Sequence, residues 1–215
     1  MTVVQKRIAL TVVACLAFST LVLIGFINKL SKPRILADHE MRGYGAMMLD
    51  TPRRFSSFEL VDHNGNAFVP EQLQGKWTLV FFGFTHCPDI CPTTLGVLNR
   101  LVEPLTDKEK EKVQVVMLSV DPERDTVEKL AAYVPYFNED FIGLTGKPAE
   151  ILSLATQLGA IYTKVPLGDD NYTVDHSGNI VLINPHGDYH GMLRPPFEEG
   201  GMRVVLRSLM YTFGG

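Results

Sequence analysis

Cys87 and Cys91 stand four residues apart in Thr85-His86-Cys87-Pro88-Asp89-Ile90-Cys91-Pro92, and two thiols at that spacing can do two kinds of chemistry. On a helical turn such residues share a face, with Cβ atoms about 5–6 Å apart, within the reach of a disulfide. Modest rotamer changes would equally let both sulfurs ligate one ion. Thiolates select soft ions, Cu(I) above all, with Zn(II) as competitor. A purely stabilising disulfide is the plain alternative, but so short a loop removes little entropy from the unfolded chain.

Two sulfurs leave copper short of ligands, so the chain's six histidines come next. His39 lies in an aperiodic stretch, and His63, His186 and His190 lie in or beside turns, where exposure is the default. His86 abuts Cys87 and could tune it, although neighbours in a strand point to opposite faces. His176 immediately precedes a core strand whose start can approach the turn carrying Cys87. Spacing alone leaves it one candidate third ligand.

The elements that must position these groups are legible in the pattern. Trp77 to Phe84 is a continuous apolar run of strand length, as in a strand buried on both faces, and Val113 to Val120 is a second. The cysteines fall where the first strand gives way to a helix over Pro92–Leu105. Ligands in open α/β sheets bind at that end of a strand. A helix N-terminus there would make the setting exposed and electropositive, favouring thiolate. Asn64-Gly65 between two apolar runs predicts a hairpin over 58–69. Helices are expected at 126–134, 148–158 and 201–211, and further strands at 179–183 and 189–193. Strands alternating with helices predict an α/β sheet.

Ile8 to Ile27 has no charged side chain, and as a helix would span about 30 Å, the thickness of a bilayer core. It is too long for a signal-peptide core and reads as an uncleaved transmembrane anchor. Val12-Val13-Ala14-Cys15 loosely fits a lipoprotein site, but the apolar run continues far beyond Cys15. Basic residues flank the span on both sides, so their count does not orient it; the short N-terminus favours translocation of the large domain. Residues 28–52 read as a linker, in which Met41, Met47 and Met48 could ligate copper but are expected simply to pack on the domain. Residues 53–215 form that domain. Residues 35–215 hold 15 basic and 24 acidic side chains, a net charge of −9, which argues against nucleic acid as a partner.

Three segments together carry a family resemblance: Gly83 to Pro92 with the two cysteines, Ser119-Val120-Asp121-Pro122-Glu123-Arg124-Asp125-Thr126, and Tyr172-Thr173-Val174-Asp175-His176-Ser177. In this order they resemble the motifs of the SCO/SenC family, from about Phe55 to the C-terminus. The resemblance implies a thioredoxin-like fold with an N-terminal β-hairpin extension, behind a single transmembrane helix. It implies one copper ion, Cu(I) or Cu(II), held by Cys87, Cys91 and His176. Cys87 and Cys91 would also form the redox disulfide. The implied role is that of a metallochaperone rather than an enzyme, serving the copper-bearing subunit of cytochrome c oxidase or another copper chaperone. The expected location is a bacterial inner membrane, with the domain in the periplasm; the mitochondrial inner membrane is the alternative. Asp175 is the candidate to orient His176, and Asp121, Arg124 and Asp125 are expected to form a cap and ion-pair cluster at the Thr126 helix. A thiol–disulfide oxidoreductase using the same cysteines is the rival reading. A peroxiredoxin is disfavoured, since Phe84 and Val80 stand where that family has threonine and proline.

Overall fold

In the computed structural model the apolar run Trp77–Gly83 becomes a strand with every residue buried. The structure describes residues 2–30, 34–168 and 171–213. Residues 31–33 of the expected linker, and 169–170 and 214–215 of the expected domain, lie outside them. The chain divides into two units, Met1–Ile35 and Leu36–Gly215.

The first unit is one helix, α1 (Val3–Leu30), with its large apolar side chains exposed. Val3–Ile27 is long and apolar enough to cross a membrane. Thr11 and Thr20 donate their hydroxyls to the carbonyls of Arg7 and Leu16, at 3.0 and 2.8 Å. Their polar groups are thereby satisfied within the helix, as a hydrocarbon surrounding requires.

The second unit opens with α2 (Asp38–Gly43), β1 (Ala46–Arg53) and the hairpin β2 (Leu60–Asp62) and β3 (Ala67–Phe68). Then come β4 (Trp77–Gly83), α3 (Ile90–Val102), α4 (Asp107–Lys110), β5 (Val113–Ser119), α5 (Val127–Tyr133), β6 (Ile142–Thr145) and α6 (Pro148–Gln157). Last are β7 (Tyr162–Gly168), β8 (Asn171–His176), β9 (Ile180–Ile183), β10 (Tyr189–Leu193) and α7 (Glu199–Phe213). Eight strands form one mixed sheet in the order β1-β10-β9-β4-β5-β6-β2-β3, while β7 and β8 pair apart from it. The parallel pair β4–β5 needs a crossover, and α3 supplies it, burying Leu95, Leu98 and Leu101 at helical spacing. The β2–β3 turn forms because Asp62 Oδ1 accepts from the amides of Asn64 and Asn66, both at 2.8 Å, and Gly65 takes a φ of 82°.

Residues 34–52, the described part of the expected linker beyond α1, carry more regular structure than their sequence suggests. They contain α2 and most of β1, an edge strand that pairs antiparallel with β10 through Ala46↔Leu193, Met47↔Met192 and Met48↔Gly191. Met41 is buried in the core and Met48 packs against it, as expected, whereas the Met47 side chain is exposed on the strand edge. Gly191 makes the pairing feasible. A Cβ there would overlap the Met47 carbonyl oxygen and lie 2.9 Å from Met48 Cα. Gly191→Ala is therefore expected to push β1 away at a cost of about 1–3 kcal/mol. Calorimetry should show a Tm lowered by about 2–4 °C per kcal/mol, with faster amide exchange at 46–48. An unchanged Tm would mean that β1 does not depend on this close approach.

Candidate metal centre

The cysteine limb begins where β4 ends. The chain turns after Phe84, whose carbonyl accepts from the Cys87 amide at 3.2 Å. Cys87 lies just before α3 rather than on its face, and Cys91 is the second helical residue. The two nevertheless meet, because the Cys91 amide points at Cys87 Sγ, 3.4 Å away. Both are free thiols, Cys87 half-buried and Cys91 fully buried. Burial pushes the Cys91 thiol far above the ordinary range. The expected exposed, thiolate-favouring setting thus does not hold for Cys91: desolvation outweighs the helix terminus. Space for its sulfur comes from Gly83, where a Cβ would lie 3.2 Å from Cys91 Sγ and 2.7 Å from the Phe81 ring.

The histidine limb is β8, which ends at His176 opposite Tyr162. His176 Nε2 lies 3.7 Å from Cys91 Sγ, although 85 residues separate them. Its ring stands edge-on to Phe81 and Phe84, with centroids 6.1 and 6.0 Å away. Burial lowers its pKa, so the imidazole is neutral at pH 7. Nδ1 lies 3.2 Å from the Ser177 carbonyl oxygen. A carbonyl can only accept, so Nδ1 carries the proton and Nε2 turns its lone pair toward Cys91. The group that orients His176 is therefore the Ser177 backbone, while Asp175 is exposed and acts on the ring only through its charge. A cavity of about 500 Å³, lined by Phe84, Cys87, Ile90, Val165, Asp175 and His176 among others, borders the site.

The other histidines lie elsewhere. His86 contacts Thr85 Oγ1 at 3.1 Å and Lys129 Nζ at 3.3 Å. His63, expected to be solvated, is buried, and its Nδ1 accepts from the Gly143 amide at 3.0 Å. His190 is half-buried, edge-on to Trp77 and Phe213, and His39 and His186 are exposed. Among the described residues no three His, Cys, Asp or Glu side chains stand in a finished coordinating arrangement. Cys91 and His176 already face each other, while Cys87 Sγ is engaged with the Cys91 amide.

The loop between β5 and α5 supports both limbs. Asp125, fully buried, accepts from the Thr85 amide at 3.0 Å, the Thr85 hydroxyl at 2.6 Å and the Ser119 hydroxyl at 2.7 Å. Asp121 is likewise buried, pairs with Arg124 and accepts from the Tyr172 hydroxyl at 2.8 Å. Of the expected ion-pair cluster the Asp121–Arg124 pair is present, whereas Asp125 bonds Thr85 and Ser119 instead; the helix cap is Thr126 itself, whose hydroxyl accepts from the Lys129 amide at 3.3 Å. Thr85 and Tyr172 carry contacts that their sequence positions did not reveal. The alternation of residues 172, 174 and 176 along one strand face was the available signal.

The SCO1/SenC family model matches residues 47–210. A protein of Stutzerimonas stutzeri named for copper binding is 39% identical over 164 residues, covering 76% of this chain and 80% of its own. The mitochondrial SCO1 homolog 1 of Arabidopsis thaliana is 42% identical over 132 residues, 61% of this chain but only 40% of that protein. The copper-bound crystal structure of Arabidopsis ScoI superposes with a TM-score of 0.65 at 38% identity, covering 72% of this chain and 96% of that one. BsSco, described as a Sco-family cytochrome c oxidase assembly protein with a disulfide switch, aligns at a TM-score of 0.58 and 26% identity, covering 75% and 97% of the two chains. The fold is the thioredoxin-like α/β fold of these proteins, with the β2–β3 hairpin added. On its motifs, its sheet and the extent of the match, the chain belongs to the SCO1/SenC family.

Proposed function

We propose that the chain carries one copper ion on Cys87 Sγ, Cys91 Sγ and His176 Nε2 and delivers it to the copper-bearing subunit of cytochrome c oxidase or to another copper chaperone. The 3.7 Å approach of His176 Nε2 to Cys91 Sγ carries this reading. Rotation of the half-buried Cys87 side chain would complete a site of two thiolates and one imidazole, a donor set suited to copper. Its net charge is zero with Cu(II) and −1 with Cu(I). The cavity beside Cys87 and His176 gives an incoming thiolate access to the ion, so transfer proceeds by ligand exchange rather than catalysis. Helix α1 anchors the chain, with the domain in the periplasm of a bacterial inner membrane.

The test is titration of the reduced full chain, in detergent, with Cu(I) and Cu(II), beside His176→Ala. One equivalent bound tightly, with visible thiolate-to-Cu(II) absorption that the variant loses, is expected. Unchanged affinity and absorption in His176→Ala would remove it from the ligand set.

A second reading, thiol–disulfide exchange, draws on the meeting of Cys87 Sγ with the Cys91 amide. The Cys87 thiolate would attack a partner disulfide. Cys91 would then attack the mixed disulfide, releasing the partner as a dithiol and closing the Cys87–Cys91 bond. Weak, non-stoichiometric copper binding together with a measurable Cys87–Cys91 reduction potential would favour it.

A further inference from the structure

The loop between β5 and α5 holds two fully buried carboxylates that reach in opposite directions. Asp125 holds the cysteine limb through Thr85. Asp121 holds the histidine limb, accepting from the Tyr172 hydroxyl and pairing with Arg124. Arg124 closes the arrangement from above. Its guanidinium carbon lies 3.8 Å from the centre of the Tyr172 ring and 5.8 Å from that of Phe84. Its Nη1 donates to the Tyr172 carbonyl at 3.0 Å. Phe84 in turn stands edge-on to His176. One side chain thus touches the loop, the hairpin and the segment leading to the cysteines.

The hairpin has need of such an anchor. β7 and β8 lie outside the main sheet, and β7 is almost wholly exposed. An isolated two-stranded hairpin is marginally stable at best. Along β8, residues 172, 174 and 176 share one face. Val174 is buried and the other two are half-buried. Tyr172 and His176 are about 13 Å apart along the strand at 3.3–3.4 Å per residue, so what ties down the first sets where the second stands.

We propose that Asp121, Arg124 and Tyr172 are positioning residues for the copper site. They hold β8 so that His176 meets Cys91, and so decide whether the ion gains its nitrogen ligand or stays on the two sulfurs. The inference rests on the ligand assignment proposed above. Its chemistry is that of an outer shell: a group that touches no metal but fixes a ligand's place commonly changes affinity by about 10–100-fold when removed.

The experiment compares Asp121→Asn and Tyr172→Phe with the unmodified full chain and with His176→Ala, all in detergent. Tyr172→Phe removes only the hydroxyl and leaves the ring beneath Arg124, so it serves if Asp121→Asn does not fold. Two readouts are taken: Cu(I) affinity by chelator competition, and imidazole-nitrogen coupling in the electron paramagnetic resonance spectrum of the Cu(II) form. The expected result is one copper still bound by the thiols in each variant, with affinity about tenfold lower or more and the nitrogen coupling weakened. Folded variants with unchanged affinity and coupling, even with a lowered Tm, would overturn the inference, because the cluster would then serve stability alone. Should His176→Ala itself change neither readout, the ligand assignment fails and this inference falls with it. A sensitive His176→Ala beside silent cluster variants overturns the inference alone.

Discussion

Cys91→Ser is expected to reduce copper binding by the full chain from one equivalent to none detectable under chelator competition. Serine keeps the shape but offers a hard, protonated hydroxyl in place of a soft sulfur. The environment sharpens the effect, because Cys91 is fully buried and its sulfur faces His176. Its burial also fixes the direction of the pH dependence. The thiol pKa is raised by desolvation, so at neutral pH the proton is present and copper must displace it. Affinity should therefore rise with pH through the neutral range, by about tenfold per unit for each proton released on binding. His176 adds no slope there, since its lowered pKa leaves it already neutral. It competes only on the acid side, where protonation weakens binding further. Competition titrations across a pH series measure the slope, and an affinity independent of pH would exclude Cys91 as a thiolate ligand.

Asp125→Ala is expected to be the most destabilising change around the site, at about 3 kcal/mol. It removes the acceptor of the Thr85 amide, the Thr85 hydroxyl and the Ser119 hydroxyl at once. Buried donors left without acceptors cost about 1–3 kcal/mol each, and relief from burying the carboxylate offsets part of that sum. Asp125→Asn should cost less, because the two hydroxyls contact different carboxylate oxygens: the amide oxygen still accepts from one, and the other can accept from the NH₂ group. Urea unfolding checks both variants: the midpoint should fall with the slope unchanged, and further for Ala than for Asn. Equal stability of Ala and wild type would show that the network contributes nothing net.

Several parts of the site could be read without coordinates because they are local. Cys87 and Cys91 meet through a turn and the first residues of one helix, which their spacing and the two prolines already imply. The strands at 77–83 and 113–119 are continuous apolar runs because both faces are covered, and that composition is visible in one dimension. The hairpin at Asn64-Gly65 follows from the turn's need for a positive φ. The place of His176 before a core strand makes it a candidate among the six histidines, and only the family motifs make it the implied ligand. Its approach to Cys91 depends on how β8 docks, and no spacing rule reaches across 85 residues.

Legible in one dimension are the alternation of strands and helices, the twenty-residue uncharged span from Ile8 to Ile27, and the soft-donor pair at a strand's end. Each rests on periodicity or on short-range geometry. Tertiary structure alone decided that residues 46–53 add an edge strand, since its main-chain pairing with β10 leaves no side-chain period to read. It decided that His63 is buried and that Cys91 is a desolvated thiol rather than an exposed thiolate, because burial is a property of the packed neighbours. It also decided that Asp125 grips Thr85 while Asp121 grips Tyr172, contacts 40 and 51 residues apart in the chain. Buried carboxylates must find donors somewhere, and only the folded chain determines where.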